Sequence, residues 1–187
     1  MGEIKSAWEI AQEKADRLGE LSSEERTKQR QDRCRPIGKS LAEKYLGQHD
    51  TRYLETELNK HDSEDKELIS QAALQALIEG IDLRHHSILD KISQGIVSLA
   101  KTETAVETVG KIKELFQEYR ETEKVERQEI ERAGGEILHQ LRISGTAISQ
   151  INIQAREDWQ KKLNQLAHPF KQRLNKLKQQ LSGSARV

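Results

Sequence analysis

The sequence predicts an all-α protein in which long helices form an antiparallel coiled-coil-like bundle, with short N-terminal helices packed on it. Apolar residues recur mainly at the three- and four-residue spacing of one helix face. Only two of the 187 residues are proline, so few positions oppose a helix. The apolar share of 34% is lean beside a charged share of 33%. This balance favours helices joined along narrow seams over a thick multilayer core.

Residues 1–62 predict four short helices. The first carries an apolar stripe anchored by Trp8. The second opens with the capping box Ser22-x-x-Glu25 and is expected to end at Pro36, because proline disrupts a helix interior. Two amphipathic stretches follow, "IGKSLAEKYLG" and "DTRYLETELNKH". Helices this short are marginal alone, so the whole segment is expected to pack on something larger.

Residues 63–181 predict the long-helix bundle, and residues 182–187 predict a disordered tail. The first long helix is expected over residues 63–101, where apolar positions alternate four and three residues apart. These seam positions are Leu74, Ile78, Ile81, His85, Ile88, Ile92, Gly95 and Leu99. A period of about 3.5 residues is typical of a coiled-coil seam.

A second long helix is predicted over residues 104–133. The pattern Thr104-x-x-Glu107 is a capping box, which places a turn between this helix and the first one. The alternative is that the first long helix continues without a turn.

The last long helix is predicted over residues 136–181. Gly134-Gly135 is the expected point of chain reversal before it. Pro169 is expected to kink or break this helix, since its ring clashes with the preceding turn.

The opening stretch "GEIKSAWEIAQEKADRLG", with "PIGKSLAEKYL" behind it, resembles the start of an uncharacterised bacterial all-helical family of unknown function. The resemblance covers the first quarter of the chain. It implies a bacterial cytoplasmic protein, and it carries over no catalytic residue.

The sequence offers no grouping typical of an enzyme. Gly38-Lys39-Ser40 resembles the end of a phosphate-binding loop, but Arg33 stands where that loop needs a glycine. Cys34, the single cysteine, is interpreted as an incidental thiol without a disulfide partner. No apolar h-region opens the chain and no stretch reaches the length of a membrane span. A soluble cytoplasmic protein with no enzymatic activity and no cofactor is therefore expected.

Two predicted helices carry an acid three residues before a histidine, a pattern with which ferritin-like bundles hold two metal ions. Positions three residues apart share a helix face, so the geometry is sound. The candidate ligands are Asp82, His85, Glu136 and His139, with Glu55 or Glu57 and Glu107 as supporting carboxylates. A chain with six histidines and 31 acids produces such a match by accident. A hydrogen-bonded or partly hydrated seam histidine is therefore favoured over a metal site.

The strongest feature is the basic C-terminal end. Residues 156–178 contain seven basic residues and two acids, and an apolar helical stripe lies on the same segment. The predicted partner contacts are Trp159, Lys161, Lys162, Leu166, Phe170, Lys171, Arg173, Lys176 and Lys178. The favoured partner is the acidic stretch at residues 55–67 of this chain or of a neighbouring subunit. Another acidic protein, an anionic membrane and nucleic acid are the alternatives.

These features predict a non-enzymatic helical interaction or scaffold protein. It is expected to self-associate, most simply as a two-fold dimer, and to present its basic amphipathic C-terminal helix to an acidic partner. Two alternatives remain open at this point. One is a ferritin-like di-metal bundle, and the other is a peripheral binder of anionic membrane or nucleic acid through residues 156–178.

Overall fold

The computed structural model describes residue 6 and residues 22–48, 50–140 and 157–184. These residues form an all-α protein, as predicted, and none of them lies in a β-strand. The helix predicted around Trp8 lies outside the described residues. The described helices are α1 (Ser23–Gln48), α2 (Thr51–Leu58), α3 (Ser63–Glu79), α4 (Leu89–Ala100), α5 (Glu103–Gln140) and α6 (Glu157–Ser184), with a 3₁₀ turn at His86–Ile88.

Helix α1 opens with the predicted capping box. The backbone N–H of Glu25 donates to Ser22 Oγ at 3.2 Å, and the N–H of Ser22 donates to Glu25 Oε2 at 2.9 Å. The prediction that this helix ends at Pro36 is wrong, because α1 continues through it. Pro36 is exposed, and the opposite face of α1 packs on α3 along residues that lie on both sides of the proline. These buried residues are Cys34, Gly38, Leu41, Ala42 and Tyr45.

The region predicted as one helix over residues 63–101 is two helices, so that prediction is wrong. Helix α3 ends at Glu79, and the chain is non-helical from Ile81 to His85. The Asp82 carboxylate stabilises this turn, because it accepts the backbone N–H of Arg84 at 2.9 Å and the guanidinium of the same residue at 2.8 Å. The apolar residues of both helices therefore enter one core, instead of lining a single extended seam.

The core joins residues from both predicted segments. One cluster of buried side chains includes Cys34, Tyr45 and Leu54 together with residues of α3, α4, α5 and α6. The Tyr45 hydroxyl donates to the Lys91 carbonyl at 2.7 Å, which ties α1 to α4. Burial raises the pKa of Tyr45, so this phenol stays protonated and keeps the hydrogen bond.

Helix α5 begins where a turn was predicted. The backbone N–H of Ala105 donates to Thr102 Oγ1 at 3.3 Å, so Thr102 supplies the cap. The predicted capping box at Thr104 is wrong, because Thr104 already lies inside the helix. The predicted reversal at Gly134-Gly135 is wrong, since α5 continues to Gln140. A glycine inside a helix costs only about 1 kcal/mol, and Gly134 and Ile130 are buried here, so packing offsets that cost.

Helix α6 is one helix, and the break predicted at Pro169 does not occur. Residues 136–140 of the predicted last helix belong to α5, and residues 141–156 lie outside the described part of the chain. At its other end α6 reaches Ser184, inside the predicted tail, and Ser182 Oγ donates to Gln75 Oε1 at 3.2 Å.

Candidate interaction surface on the α5–α6 arm

Helices α5 and α6 run antiparallel. Arg173 donates to both carboxylate oxygens of Glu118, each at 2.9 Å, and Lys162 pairs with Glu126 farther along α5. Residue numbers therefore increase along α6 in the direction in which they decrease along α5. Residues 120–140 of α5 and 157–165 of α6 continue this pair beyond the buried core cluster, and we call them the arm.

The two helices of this pair carry opposite net charges. Residues 103–140 contain ten acids and six basic residues, a net of −4, whereas residues 157–184 contain two acids and six basic residues, a net of +4. The basic C-terminal helix is therefore matched in part by an acidic helix of the same chain.

The predicted pairing of this basic helix with the acidic stretch at residues 55–67 is not found among the described residues. The Asp65 carboxylate lies 2.6 Å from Arg33 and 3.2 Å from Arg30, so α1 neutralises it. Glu55 lies 3.6 Å from Lys101, and Glu57 pairs with Lys60 at 2.5 Å.

Four of the predicted contact residues of α6 contact other parts of this chain. Phe170 is buried, and Lys162 and Arg173 form the ion pairs with α5. Lys178 is half-buried and donates to the Glu79 carbonyl at 3.1 Å, at the C-terminal end of α3. Burial lowers the pKa of Lys178, which makes it a docking contact more than a free surface cation.

The remaining predicted residues face outward to differing degrees. Trp159 and Leu166 are half-buried, whereas Lys161, Lys171 and Lys176 are exposed. Lys161 lies 3.9 Å from Glu157 of its own helix. Among the described residues, none forms an ion pair or hydrogen bond with Lys171 or Lys176.

The arm buries little of its own surface. Between residues 120 and 140, the only buried positions that the structure describes are Ile130 and Gly134. Val125 is 56% exposed and Ile137 is 40% exposed, although both are large aliphatic residues. An exposed apolar residue is ordinary by itself, but here it lies on a ribbon only two helices thick. The arm thus leaves large apolar side chains exposed to solvent.

The four candidate metal ligands are not brought together. His85 is exposed in the turn after α3, and the Arg84 side chain and backbone hold the pKa of the Asp82 carboxyl well below its usual range. Glu136 and His139 are exposed on the arm. At 1.5 Å per residue they lie at least roughly 25 Å along α5 from Tyr119, where the arm leaves the core. The part of the chain that the structure describes contains no group of three or more His, Cys, Asp or Glu side chains able to hold a metal ion.

A groove of about 1080 Å³ lies where the arm leaves the core, between the turn after α3 and one flank of α5. Buried apolar side chains, Leu83, Leu89 and Phe116, line part of it. Its charged walls are partly paired, since Lys113 lies 2.7 Å from Asp90 and Arg127 lies 2.7 Å from Glu123. Among its described lining residues, no nucleophile is hydrogen-bonded to a general base.

No family model matches the chain, and no curated protein or solved structure matches it either. Within residues 22–48, 50–140 and 157–184, no helix has the length and apolarity needed to cross a lipid bilayer.

Sequence reasoning missed the acidic partners Glu118 and Glu126 and the exposed Val125. A sum of charge over each long helix would have marked α5, with its net charge of −4, as a further candidate partner for α6, with its net charge of +4.

Proposed function

We propose that this protein is a non-enzymatic helical interaction protein that self-associates through the α5–α6 arm. The observation that supports this most strongly is the 56% exposure of Val125 on an arm that buries only Ile130 and Gly134 of the described α5 residues beyond Tyr119. Two helices in contact bury one seam, and a second pair of helices is the usual way to cover the rest. A closed two-fold dimer is the simplest assembly that provides it.

The acidic partner of α6 is, in this proposal, also a copy of this chain. Lys171 and Lys176 are exposed, and no described residue pairs with them. Exposed acids of α5 such as Glu131 and Glu136 also form no ion pair with any described cation. Opposite charges left over on one two-helix element favour its association with a second one.

Light scattering across a range of protein concentrations tests the proposal. The expected mass is about twice the 21.4 kDa of one chain, and dissociation should appear on dilution. A mass of one chain at every concentration would rule the proposal out.

Elemental analysis of the same sample tests the di-metal alternative. Stoichiometric iron, manganese or zinc that disappears in a His85→Ala, His139→Ala double variant would favour a metal-binding function.

Membrane or nucleic-acid binding would appear as co-sedimentation with anionic vesicles or a shift of labelled DNA. The apolar side chains Phe170, Leu174 and Leu181 of α6 are buried in this structure, so neither binding mode is expected to use them.

A further inference from the structure

Helix α5 separates its charges between two sides. Separations of seven, four and three residues return to one face of a helix, and four basic residues of α5 follow one another at these separations. They are Lys113, Arg120, Lys124 and Arg127, and we call them the basic face. Most acids of α5 have helical angles roughly 80° to 160° away from Lys113, at 3.6 residues per turn. These acids are Glu107, Glu114, Glu118, Glu121, Glu129 and Glu136.

The basic face forms one wall of the groove where the arm leaves the core. All four of its residues line that groove, and Arg84 lines it from the turn after α3. The Arg84 side chain is 73% exposed, and Asp82 accepts hydrogen bonds from its Nε and Nη2 atoms. Basic side chains therefore line the groove from both walls.

The middle of the basic face has no partner within the described chain. Its two end members already form the ion pairs with Asp90 and Glu123. The two middle members, Arg120 and Lys124, are exposed, and neither forms an ion pair or hydrogen bond with a described residue.

The two other acids that line the groove do not neutralise these cations. Glu121 directly follows Arg120, and adjacent residues of a helix do not face each other. Its carboxylate accepts a hydrogen bond from Gln117 Nε2 at 3.1 Å. Glu131 lies roughly 10 Å beyond Lys124 along α5, toward the tip of the arm. The centre of the groove thus carries positive charge without a matching carboxylate.

We propose that this groove binds an acidic segment of another protein, with Arg120 and Lys124 as its main charge contacts and Arg84 as a third on the facing wall. Complementary charge steers such a segment to the groove and fixes its register there. The wall from Lys113 to Glu131 is roughly 27 Å long at 1.5 Å per residue. That length favours an elongated polypeptide over a compact small molecule, and the site does not depend on the self-association proposed above.

A nucleic acid is a poorer occupant of this groove. Four acids also line it, Asp90, Glu121, Glu123 and Glu131. A nucleic acid carries a negative charge at every phosphate, so it would meet these carboxylates as like charges. A polypeptide can place its acids at the middle of the groove and neutral or basic side chains at the ends.

A second copy of this chain is a poorer occupant for a different reason. The acidic side of α5 and the groove lie on different sides of the same helix, so each copy would insert one surface and leave the other open. A head-to-tail contact of this kind produces rings or open chains of subunits, whereas a closed dimer needs one self-complementary surface.

Binding of a labelled oligoglutamate tests the proposal on the full chain. A fluorescent peptide of about eight glutamates spans the groove when it is extended, and its fluorescence anisotropy gives the dissociation constant. Wild type should bind it saturably. The Arg120→Ser, Lys124→Ser double variant should bind roughly tenfold more weakly, because two charge contacts are lost. A wild-type protein without saturable binding would overturn the inference.

The matched control is the Lys171→Ser, Lys176→Ser double variant. It removes two exposed cations of α6 that have no described partner and do not line the groove. Its dissociation constant should change less than about twofold. Equal weakening of both double variants would show that net charge attracts the peptide, and would also overturn the inference.

Two further measurements test the other occupants. An oligothymidine of the same charge that binds the groove more tightly than oligoglutamate would overturn the choice of a polypeptide. Light scattering of the Arg120→Ser, Lys124→Ser variant should give the same mass as wild type, since loss of self-association would make a second copy the occupant. A wild-type monomer that binds oligoglutamate at this groove would remove only the self-association proposed above.

Discussion

The rings of Tyr119 and Phe170 meet edge to face, with their centroids 5.3 Å apart and their planes at 62°. Both side chains are buried, and the Arg173 guanidinium lies 5.8 Å from the centre of the Phe170 ring. This contact lies where the arm leaves the core, so it connects the packing of α6 with the start of the arm.

Replacing Phe170 with Ala should lower the free energy of unfolding by about 3–5 kcal/mol, because it removes a buried aromatic ring and leaves a cavity. Phe170→Leu should cost less, since it keeps most of the apolar volume. Urea denaturation followed by circular dichroism measures both values. A loss below about 1 kcal/mol for Phe170→Ala would contradict the burial of this ring.

Gly38 and Gly110 should respond oppositely to alanine. A Cβ on Gly38 would lie 2.5 Å from Ala72 Cβ and 2.6 Å from the Ile69 carbonyl oxygen, so α1 and α3 would have to move apart. The expected loss for Gly38→Ala is about 1–3 kcal/mol. Gly110→Ala meets nothing within 4 Å and should gain about 0.5–1 kcal/mol from helix propensity. Thermal melts measure the change in stability of each variant relative to wild type. A Gly38→Ala variant that is stabilised as Gly110→Ala is would contradict the close approach of α1 to α3.

Pro36→Ala and Pro169→Ala should both stabilise the protein. Each proline is exposed inside a continuous helix, so alanine restores a backbone hydrogen bond and removes a clash. The free energy of unfolding should increase by about 1–2 kcal/mol for each variant, a figure that allows for the greater conformational freedom of the unfolded chain without the proline. Chemical denaturation is the measurement. A destabilised Pro36→Ala would show that α1 needs the proline at this position.

Asp82→Asn should destabilise the turn after α3 by about 1 kcal/mol at neutral pH, a figure already reduced for solvent exposure. The folded-state pKa of Asp82 lies below its ordinary value because of Arg84. Its contribution is therefore fully present above the unfolded-state pKa of about 3.9 and is lost as the pH falls through the folded-state pKa. The difference in free energy of unfolding between wild type and Asp82→Asn should become smaller below about pH 3.9. Denaturation at several pH values measures this difference, and Asp32→Asn, at an exposed position, is the control. A difference in free energy of unfolding that does not change with pH would contradict the prediction.

The helical class and several helix starts were predictable because they depend on local chemistry. The Ser22 and Glu25 side chains satisfy backbone groups within one turn, and the turn before α5 likewise uses the nearby Thr102. The helix breaks were predicted poorly, since Pro36, Gly134 and Pro169 are weak breakers when packing holds both sides of a helix. The turn at Asp82 was missed because the apolar period continues across it.

The basic α6 was recognised from the sequence, but its acidic partner was not. Glu118 lies 55 residues from Arg173 and Glu126 lies 36 residues from Lys162, and charge alone gives equal weight to the acids at residues 55–67. Antiparallel contact between α5 and α6 selects among them.

The sequence by itself determined that this chain is helical, lean in apolar residues and basic at its C-terminal end, because composition and short-range spacing decide those properties. The tertiary structure alone decided where the helices end, which charges pair and which valines stay exposed. Those outcomes depend on free energies of packing between residues far apart in the chain, and no local pattern contains them.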